Sequence, residues 1–313
     1  MAEALYLNPG VSVDYTPVVA VTAGEVRQLY DGRAGIAPTA IAAAKLGALT
    51  VSGIVEVEKT ATMVMLKGSQ VFWDASANKA HLLQVNDKDF FLGTVQETAA
   101  SAATTVKVNL NVRPQYTITL GDGFWSVPIL TAGLTACVIG HKEGCTLQFD
   151  VTAEAQKMDA LSNRGIAVLT PCLVEALICC NLDGDDAAFD LNVGLANATH
   201  ADDADSITES LFFHTDGADL NIFLESDDGA TEVAATDSTV DFVVGTPFLV
   251  QWDLSDWEDI QAYVNGVNVL PATVFDISGA TGPLKLLAHM EKTANNSPGN
   301  YTIARLSALA YTE

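Results

Sequence analysis

Short runs of alternating or continuous apolar residues recur along this 313-residue chain, and most of them are separated by Gly, Asn, Asp or Pro. The runs are rich in β-branched and aromatic residues, which favour strands. The clearest runs occupy residues 51–57, 62–66, 105–110, 146–151, 220–224 and 248–252. Helical periodicity is scarce, and its best candidates, residues 40–46 and 153–161, are short. The pattern therefore predicts an all-β protein built from sandwiches or barrels.

The strongest local signal is a hairpin within residues 259–270. Alternating apolar residues lie on both sides of Asn265-Gly266. This dipeptide tolerates the positive φ angles of a two-residue type I′ turn better than other pairs. We therefore predict two antiparallel strands joined at these two residues.

A looser repeat occurs in the first third of the chain. Gly24 and Gly68 each lead a strand-like run that ends in an aromatic residue and an aspartate, at Tyr30-Asp31 and Trp73-Asp74. Aspartate at such a position can start a turn. Two strand–turn units of this kind are consistent with a small barrel that has pseudo-symmetric halves.

Charge is distributed unevenly along the chain. The net charge is -24, from 15 basic and 39 acidic residues. Residues 1–113 hold 9 basic and 10 acidic residues, whereas residues 114–313 hold 6 basic and 29 acidic residues. An asymmetry of this size predicts two domains in different surroundings. Phosphate backbones would repel the acidic part, which argues against binding to nucleic acid.

The expected domain boundary follows Arg113-Pro114, because proline and the residue before it are confined to extended or turn conformations. Residues 121–128 combine two glycines with Phe and Trp, which is typical of a connector that packs on a protein surface. The expected organisation is a domain at 1–112, a connector at 113–145 and a second domain at 146–313.

Composition argues against several other classes of protein. Residues 36–44 and 166–170 are the longest apolar runs, and they are too short or too Ala-rich to span a bilayer. The N-terminus lacks the basic and apolar segments of a signal peptide. The five cysteines contain no Cys-x-x-Cys pair. We therefore expect reduced core thiols, and neither a disulfide framework nor a zinc site.

Three segments of the first domain carry a resemblance to a known family. They are GSQVFWD at 68–74, LGTV at 92–95 and the closing strand TVKVNL at 105–110. Together they resemble the capsid cement or decoration proteins, including head-fibre proteins, of tailed bacteriophages. The resemblance implies a small N-terminal β-barrel or β-tulip-like domain that binds a capsid.

The second domain resembles the concanavalin-like jelly-roll domains of phage structural proteins and lectins. The likeness rests on AYVNGV at 262–267 and on the segments 284–289, 291–293 and 301–303. It implies a jelly-roll β-sandwich over residues 146–313. Enzymes, sugar binders and scaffolds all use this fold, so the fold alone does not set the function.

The sequence lacks the carboxylate pattern of jelly-roll glycosidases, Glu-x-Asp-x-x-Glu, which places two carboxylates on one face of a strand. The nearest acidic group is Asp253, Asp256, Glu258 and Asp259, and its spacing is typical of a solvated turn. Gly-x-Ser-x-Gly and His-Glu-x-x-His are also absent. We therefore predict that the protein is not an enzyme.

Two acidic loops are candidate calcium ligands, because Ca²⁺ prefers many oxygen ligands from flexible loops. The candidates are Asp183, Asp185, Asp186, Asp202, Asp203 and Asp205. Neither loop has the complete Asp-x-Asp-x-Asp-Gly pattern, and solvated acidic loops are the common alternative. Apart from this calcium, no cofactor is expected. The five histidines show no ligand spacing, and none is assigned a function.

Two interpretations stand for the aromatic residues Trp252, Trp257 and Tyr263. As a platform, Trp257 and Tyr263 would stack on the apolar face of a sugar. As core residues, they would fill the sandwich. The core interpretation is favoured because Trp252 lies in the apolar run 248–252.

The favoured hypothesis is a capsid cement or head-fibre protein on the outer surface of a virion, made in the host cytoplasm. The nearly neutral first domain would bind the major capsid protein as a homotrimer, and the acidic jelly roll would project outward. An arm at residues 1–17 would extend over a neighbouring subunit. The expected capsid contacts are Leu5, Tyr6, Leu7, Val11, Val13 and Tyr15. The alternative is a glycan- or host-surface-binding module on the virion. Neither hypothesis involves nucleic acid or a membrane.

Overall fold

A computed structural model describes residues 11–120, 136–138, 145–184, 189–200, 203–295 and 297–311. Strands dominate it, and all of the pairs between strands are antiparallel within these residues. The chain divides into two compact units, Met1–Pro114 and Gln115–Glu313. Across the described ranges, no helix is long and apolar enough to cross a membrane.

The N-terminal unit begins with a four-stranded sheet. Its strands are β1 (Ser12–Tyr15), β2 (Val26–Gln28), β3 (Ala34–Ile36) and β4 (Gly47–Thr50). They lie in the order β1-β4-β3-β2. Val21 and Ile41 exchange two backbone hydrogen bonds of 2.9 Å beside this sheet. With Ala37 and Leu49 they form its small apolar core.

The rest of the unit is a five-stranded sheet. Its strands are β5 (Ile54–Glu58), β6 (Gln70–Asp74), β7 (Lys79–His81), β8 (Phe90–Val95) and β9 (Thr105–Leu110). They lie in the order β5-β9-β8-β6-β7. Lys59, just after β5, forms a parallel bridge with Ala80 in β7, and the N–H of Thr60 donates to the Ala80 oxygen at 3.0 Å. This bridge closes the sheet into a small barrel, as the resemblance implied.

The repeat in the sequence has a structural counterpart. Gly24 and Gly68 both have positive φ, 82° and 89°, just before β2 and β6. Asp31 and Asp74, which follow the two runs, each accept a hydrogen bond from the backbone N–H two residues later, at 3.1 and 2.8 Å. Both glycines therefore reverse the chain into a strand, and both aspartates stabilise the turn after it.

The C-terminal unit is a two-sheet sandwich. The larger sheet contains β10 (Ile118–Thr119), β11 (Ala136–Val138), β12 (Cys145–Phe149), β14 (Cys172–Leu182), β19 (Phe248–Leu254), β20 (Gln261–Val264), β21 (Val267–Val269) and β23 (Gly299–Ala310). The smaller sheet contains β13 (Glu154–Ile166), β15 (Phe189–Ala196), β16 (Ser210–Asp216), β17 (Asn221–Asp227), β18 (Glu232–Asp241) and β22 (Leu284–Asn295). A short 3-10 helix spans Ala204–Ser206.

The order of the strands is that of a jelly roll. The larger sheet runs β11-β12-β23-β14-β19-β20-β21, with β10 paired to β23, and the smaller sheet runs β13-β22-β15-β16-β17-β18. Because side chains alternate along a strand, every second residue faces the other sheet. One large core fills the space between the sheets, and Phe149, Phe189 and Tyr301 meet edge-to-face or stacked within it, with ring centroids about 6 Å apart.

The observed strands agree with one local prediction from the sequence and disagree with two others. The hairpin is confirmed: Asn265 and Gly266 have φ of 51° and 78° and join β20 to β21. The helical candidate at 153–161 is wrong, because these residues belong mainly to β13, which pairs with β22. The candidate at 40–46 is a turn region rather than a helix.

The expected connector at 113–145 is partly a component of the sandwich. Residues 118–119 pair with β23, and residues 136–138 pair with β12. The sandwich therefore starts earlier than the expected boundary at residue 146. The aromatic segment at 121–128 lies outside the described residues.

Candidate functional site

The expected capsid-contact residues fall into three groups. Leu5, Tyr6 and Leu7 lie outside the described residues. Val13 and Tyr15, on one face of β1, pack against the small apolar core of their own unit. Val11 is 53% exposed. Residues 12–15 therefore belong to the unit's own sheet rather than to an arm that extends over a neighbouring subunit.

Two neighbouring loops of the N-terminal unit expose large apolar side chains. Val18 and Val19 follow β1 and are 93% and 70% exposed, and Leu46 precedes β4 and is 71% exposed. The loops are joined by a 2.8 Å hydrogen bond from the Ala44 N–H to the Pro17 oxygen. We call Val18, Val19 and Leu46 the apolar loop pair. Single exposed apolar residues are ordinary, but a group on adjoining loops is a candidate contact surface.

The calcium candidates are only partly described, since Asp185, Asp186 and Asp202 lie outside the described ranges. Asp183 accepts a 2.8 Å hydrogen bond from the Tyr301 hydroxyl, and burial raises the pKa of its carboxyl. Asp203 caps the short 3-10 helix by accepting from the Asp205 N–H at 2.9 Å. Asp205 lies beside His214 and Glu225. Among the described residues, Asp205 is thus the candidate that joins a possible ligand group.

The aromatic candidates lie inside the sandwich. Trp257 is 3% exposed, and its indole N–H donates to the Thr170 oxygen at 2.9 Å. Tyr263 is 8% exposed. Trp252 packs edge-to-face on Phe275, with ring centroids 5.4 Å apart. These positions favour the core interpretation over an exposed sugar platform.

The acidic group at 253–259 forms turns. The Asp253 carboxylate accepts from the Ser255 N–H at 3.0 Å, and the Asp256 carboxylate accepts from the Glu258 N–H at 3.0 Å. Such contacts tie a short side chain to its own turn. The geometry is that expected of a solvated turn.

Two rows of polar residues cross the outer face of the smaller sheet, the face directed away from the core. The histidine row consists of Asp159, His289, Asn192 and His214, which lie directly opposite one another on β13, β22, β15 and β16. The acidic row, two residues along each strand, consists of Lys157, Glu291, Asp190 and Asp216. Because alternate residues share a face, the two rows form one continuous polar surface.

His289 is fully buried between two carboxylates. Its Nδ1 lies 2.6 Å from Asp159 Oδ1, and its Nε2 lies 2.9 Å from Glu291 Oε2. Lys157 Nζ lies 3.3 Å from the other oxygen of Asp159. Burial opposes protonation, but the two hydrogen bonds outweigh it, and the pKa of His289 lies above its ordinary value.

His214 has carboxylates on both sides of its ring and is 4% exposed. Its Nε2 lies 2.5 Å from Asp216 Oδ1 and 3.8 Å from Asp190 Oδ1. Its Nδ1 lies 3.5 Å from Asp205 Oδ1 and 3.7 Å from Glu225 Oε1. Burial acts to lower the pKa of His214, but the four carboxylates raise it far above the ordinary value.

The larger sheet shows how the same unit neutralises a buried carboxylate elsewhere. Glu175, 1% exposed, lies 2.9 Å from Arg305 Nε and accepts a 2.6 Å hydrogen bond from the Tyr116 hydroxyl. No such partner is available near His214 along the chain, because residues 165–284 contain 22 Asp and Glu and no Lys or Arg. The carboxylates around His214 therefore share one imidazole as their only described cationic partner.

Sequence reasoning missed this surface. His214 and His289 are far apart in the sequence, and only the pairing of β22, β15 and β16 brings them into one row. The available signal was local: Asp190-x-Asn192 and His214-x-Asp216 put polar residues at alternate positions of otherwise apolar strands.

The fold and the surfaces together define a two-unit, all-β protein: a small barrel with exposed apolar loops, and an acidic jelly-roll sandwich. Residues 7–110, a third of the chain, match the family model described as phage cement protein. The match covers most of the N-terminal unit and supports a structural role in a virion. No curated protein matches the sequence.

Solved structures with a similar fold match the sandwich at low identity. One was solved in a study of endo-acting O-glycanases from the human gut microbiota; it is 10% identical, covers 62% of this chain and 90% of its own, and has a TM-score of 0.43. The Emp47p carbohydrate recognition domain is 8% identical, with coverages of 59% and 94% and a TM-score of 0.41. The carbohydrate-binding module CBM66 from Bacillus subtilis is 10% identical, with coverages of 60% and 98% and a TM-score of 0.37.

Proposed function

We propose that this chain is a non-enzymatic cement protein that binds the outside of a bacteriophage capsid through its N-terminal unit. The observation that carries the proposal is the match of residues 7–110 to the phage cement family. In this role each bound copy links neighbouring copies of the major capsid protein. Because the cement protein would bind the assembled shell but not its separated subunits, its binding raises the free energy of opening the shell.

Charge and exposed apolar area support two roles: docking through the N-terminal unit and outward display of the C-terminal unit. The N-terminal unit has 9 basic and 10 acidic residues, so its surface carries little net charge to oppose docking. The apolar loop pair offers side chains that lose contact with water when covered. The C-terminal unit has 6 basic and 29 acidic residues. Displayed outward in many copies, it would keep particles mutually repelling and soluble.

The test is binding of the purified full chain to capsid shells that lack it, measured by co-sedimentation and by electron microscopy of the particles. We expect decoration of the outer surface, as trimers at three-fold positions. Removing residues 2–10 should weaken binding while keeping β1, which starts at Ser12, in its sheet. Shells that remain undecorated at saturating protein would contradict the proposal.

A pair of matched substitutions tests the contact surface. Val18→Asp places a charge in the apolar loop pair and should weaken the affinity for the shell at least tenfold, a loss of about 1.4 kcal/mol or more of binding free energy. Val274→Asp is the control, because Val274 is 57% exposed but lies in the C-terminal unit. Equal occupancy by both variants would place the contact elsewhere.

A further inference from the structure

The side of His214 that faces the acidic row has the composition of a metal site. Asp190, His214 and Asp216 each offer one ligand atom, and these atoms lie within 4.8 Å of one another. Asp190 and Asp216 are directly opposite on the paired strands β15 and β16. The three ligands are therefore supplied by rigid, adjacent elements rather than by separate loops.

The ring of His214 is oriented from its other side. Asn192 Nδ2 donates to Asp205 Oδ1 and to Glu225 Oε1, both at 2.8 Å, and lies 3.4 Å from His214 Nδ1. The amide group thus already binds the carboxylate oxygens on the Nδ1 side of the ring. Carboxylates beside the second ring nitrogen are the usual outer partners of a metal-bound histidine. Nε2 is consequently the nitrogen that is set to bind.

Charge balance also favours a cation on the Nε2 side. Glu291, Asp190 and Asp216 are neighbours in the acidic row, and like charges directly opposite one another destabilise a sheet. The strands β15, β16 and β17 contain no Lys or Arg. A divalent ion would offset the repulsion that a single protonated imidazole leaves in place.

The site is open to solvent on one side. The side chains of Asp190 and Asp216 are 23% and 34% exposed, whereas the side chain of His214 is 5% exposed. An ion can therefore enter between the carboxylates, and water can complete its coordination. Binding requires the proton on Nε2 to leave for solvent, and it requires the Asp216 carboxylate to swing back from its hydrogen bond.

We propose that Asp190, His214 and Asp216 bind one divalent transition-metal ion, of the class of Zn²⁺ or Mn²⁺. One imidazole nitrogen with two carboxylates suits these ions better than Ca²⁺ or Mg²⁺, which prefer oxygen ligands alone. The ion would join β15 to β16 on the outer face of the smaller sheet. None of its three ligands is among the calcium candidates named from the sequence.

The experiment is calorimetric titration of the full chain, freed of any tag and stripped with EDTA, with Zn²⁺ and with Mn²⁺ in separate runs. We expect one ion per chain for at least one of the two metals, and binding of Ca²⁺ and Mg²⁺ at least tenfold weaker. Co²⁺ bound in place of Zn²⁺ should give visible absorption bands that report the protein ligands.

The double variant Asp190→Asn, Asp216→Asn should weaken binding at least tenfold and abolish the Co²⁺ bands. Amides of the same shape keep the strands paired, and circular dichroism of the metal-free variant checks this. The control Glu258→Gln also removes one carboxylate, from an exposed turn on the other sheet, and should bind as the parent does.

Three results would overturn the proposal. One is the absence of saturable binding of Zn²⁺ and Mn²⁺ up to about 1 mM. The second is binding that the double variant retains, which would place the ion at other acidic residues. The third is loss of binding only in Glu225→Gln, which would place it on the Nδ1 side of the ring.

Discussion

Buried histidines on the outer face of the smaller sheet act as cations between carboxylates. His289 lies between Asp159 and Glu291, and Lys157 lies beside Asp159. A neutral imidazole has only one N–H, so one of the two carboxylates would face a nitrogen that is itself an acceptor. The protonated ring instead donates from both nitrogens, which explains why the pKa of His289 is raised despite its complete burial.

This arrangement predicts how stability depends on pH. Because the folded-state pKa of His289 lies above the unfolded value of about 6.5, its stabilising contribution is complete below that pH and is lost as pH rises through the folded-state pKa. The free energy of unfolding of the EDTA-treated parent, relative to His289→Asn, should therefore be largest near pH 6. It should decline as pH rises above the unfolded pKa, by at most about 1.4 kcal/mol per pH unit, until the folded-state pKa is passed.

Urea denaturation of both proteins between pH 6 and pH 9 measures this difference. Because both proteins contain His214, its contribution to the pH dependence of unfolding cancels to first order. At pH 6 the variant should be less stable by about 3 kcal/mol, the cost of breaking a buried charged pair. A difference that stays constant across this range would mean that His289 is neutral in the folded protein.

At the level of strands, local signals identified some elements and failed for others. Asn265-Gly266 fixes its hairpin because the turn is encoded by two adjacent residues. Residues 153–161 looked helical because they contain Ala, Glu, Gln, Lys and Leu, but pairing with β22 overrides that propensity. The position of His214 opposite Asn192 depends on register between strands that are distant in sequence, so no local pattern could reveal the polar surface.

Substitution of Gly194 tests the pairing of β15 with β16, which brings the residues of the polar surface together. Gly194 lies on β15 opposite Phe212, and a Cβ at this position would meet the backbone oxygen of Leu211 on β16. Gly194→Ala should therefore push β16 away and destabilise the protein by about 1–3 kcal/mol, as overpacking does. Thermal unfolding followed by circular dichroism measures the loss.

Gly282→Ala is the matched control for this substitution. A Cβ at Gly282 meets nothing within 4 Å, and the residue does not have positive φ. We expect its stability to stay within about 0.5 kcal/mol of the parent. Equal losses in both variants would show that the contact with the Leu211 oxygen is not the cause of the destabilisation in Gly194→Ala.

At the level of the whole molecule, the two units differ most in charge. The unit Met1–Pro114 has a net charge of -1, and the unit Gln115–Glu313 has a net charge of -23. Self-repulsion of this size opposes the compact state and is screened by salt. Each unit also has an apolar core of its own. Separate cores with different charge should make the units respond differently to the same solvent.

We therefore expect two transitions in differential scanning calorimetry of the full chain, with only one of them strongly dependent on salt. Raising NaCl from about 0.01 M to about 0.5 M shortens the screening length from roughly 30 Å to a few Å. The transition of the acidic unit should rise by several degrees, while that of the nearly neutral unit stays in place. Gly194→Ala identifies the acidic unit, because it should lower that transition alone. If a single transition is observed, or if both rise equally with salt, the units unfold together and the difference in charge between them does not govern their stability.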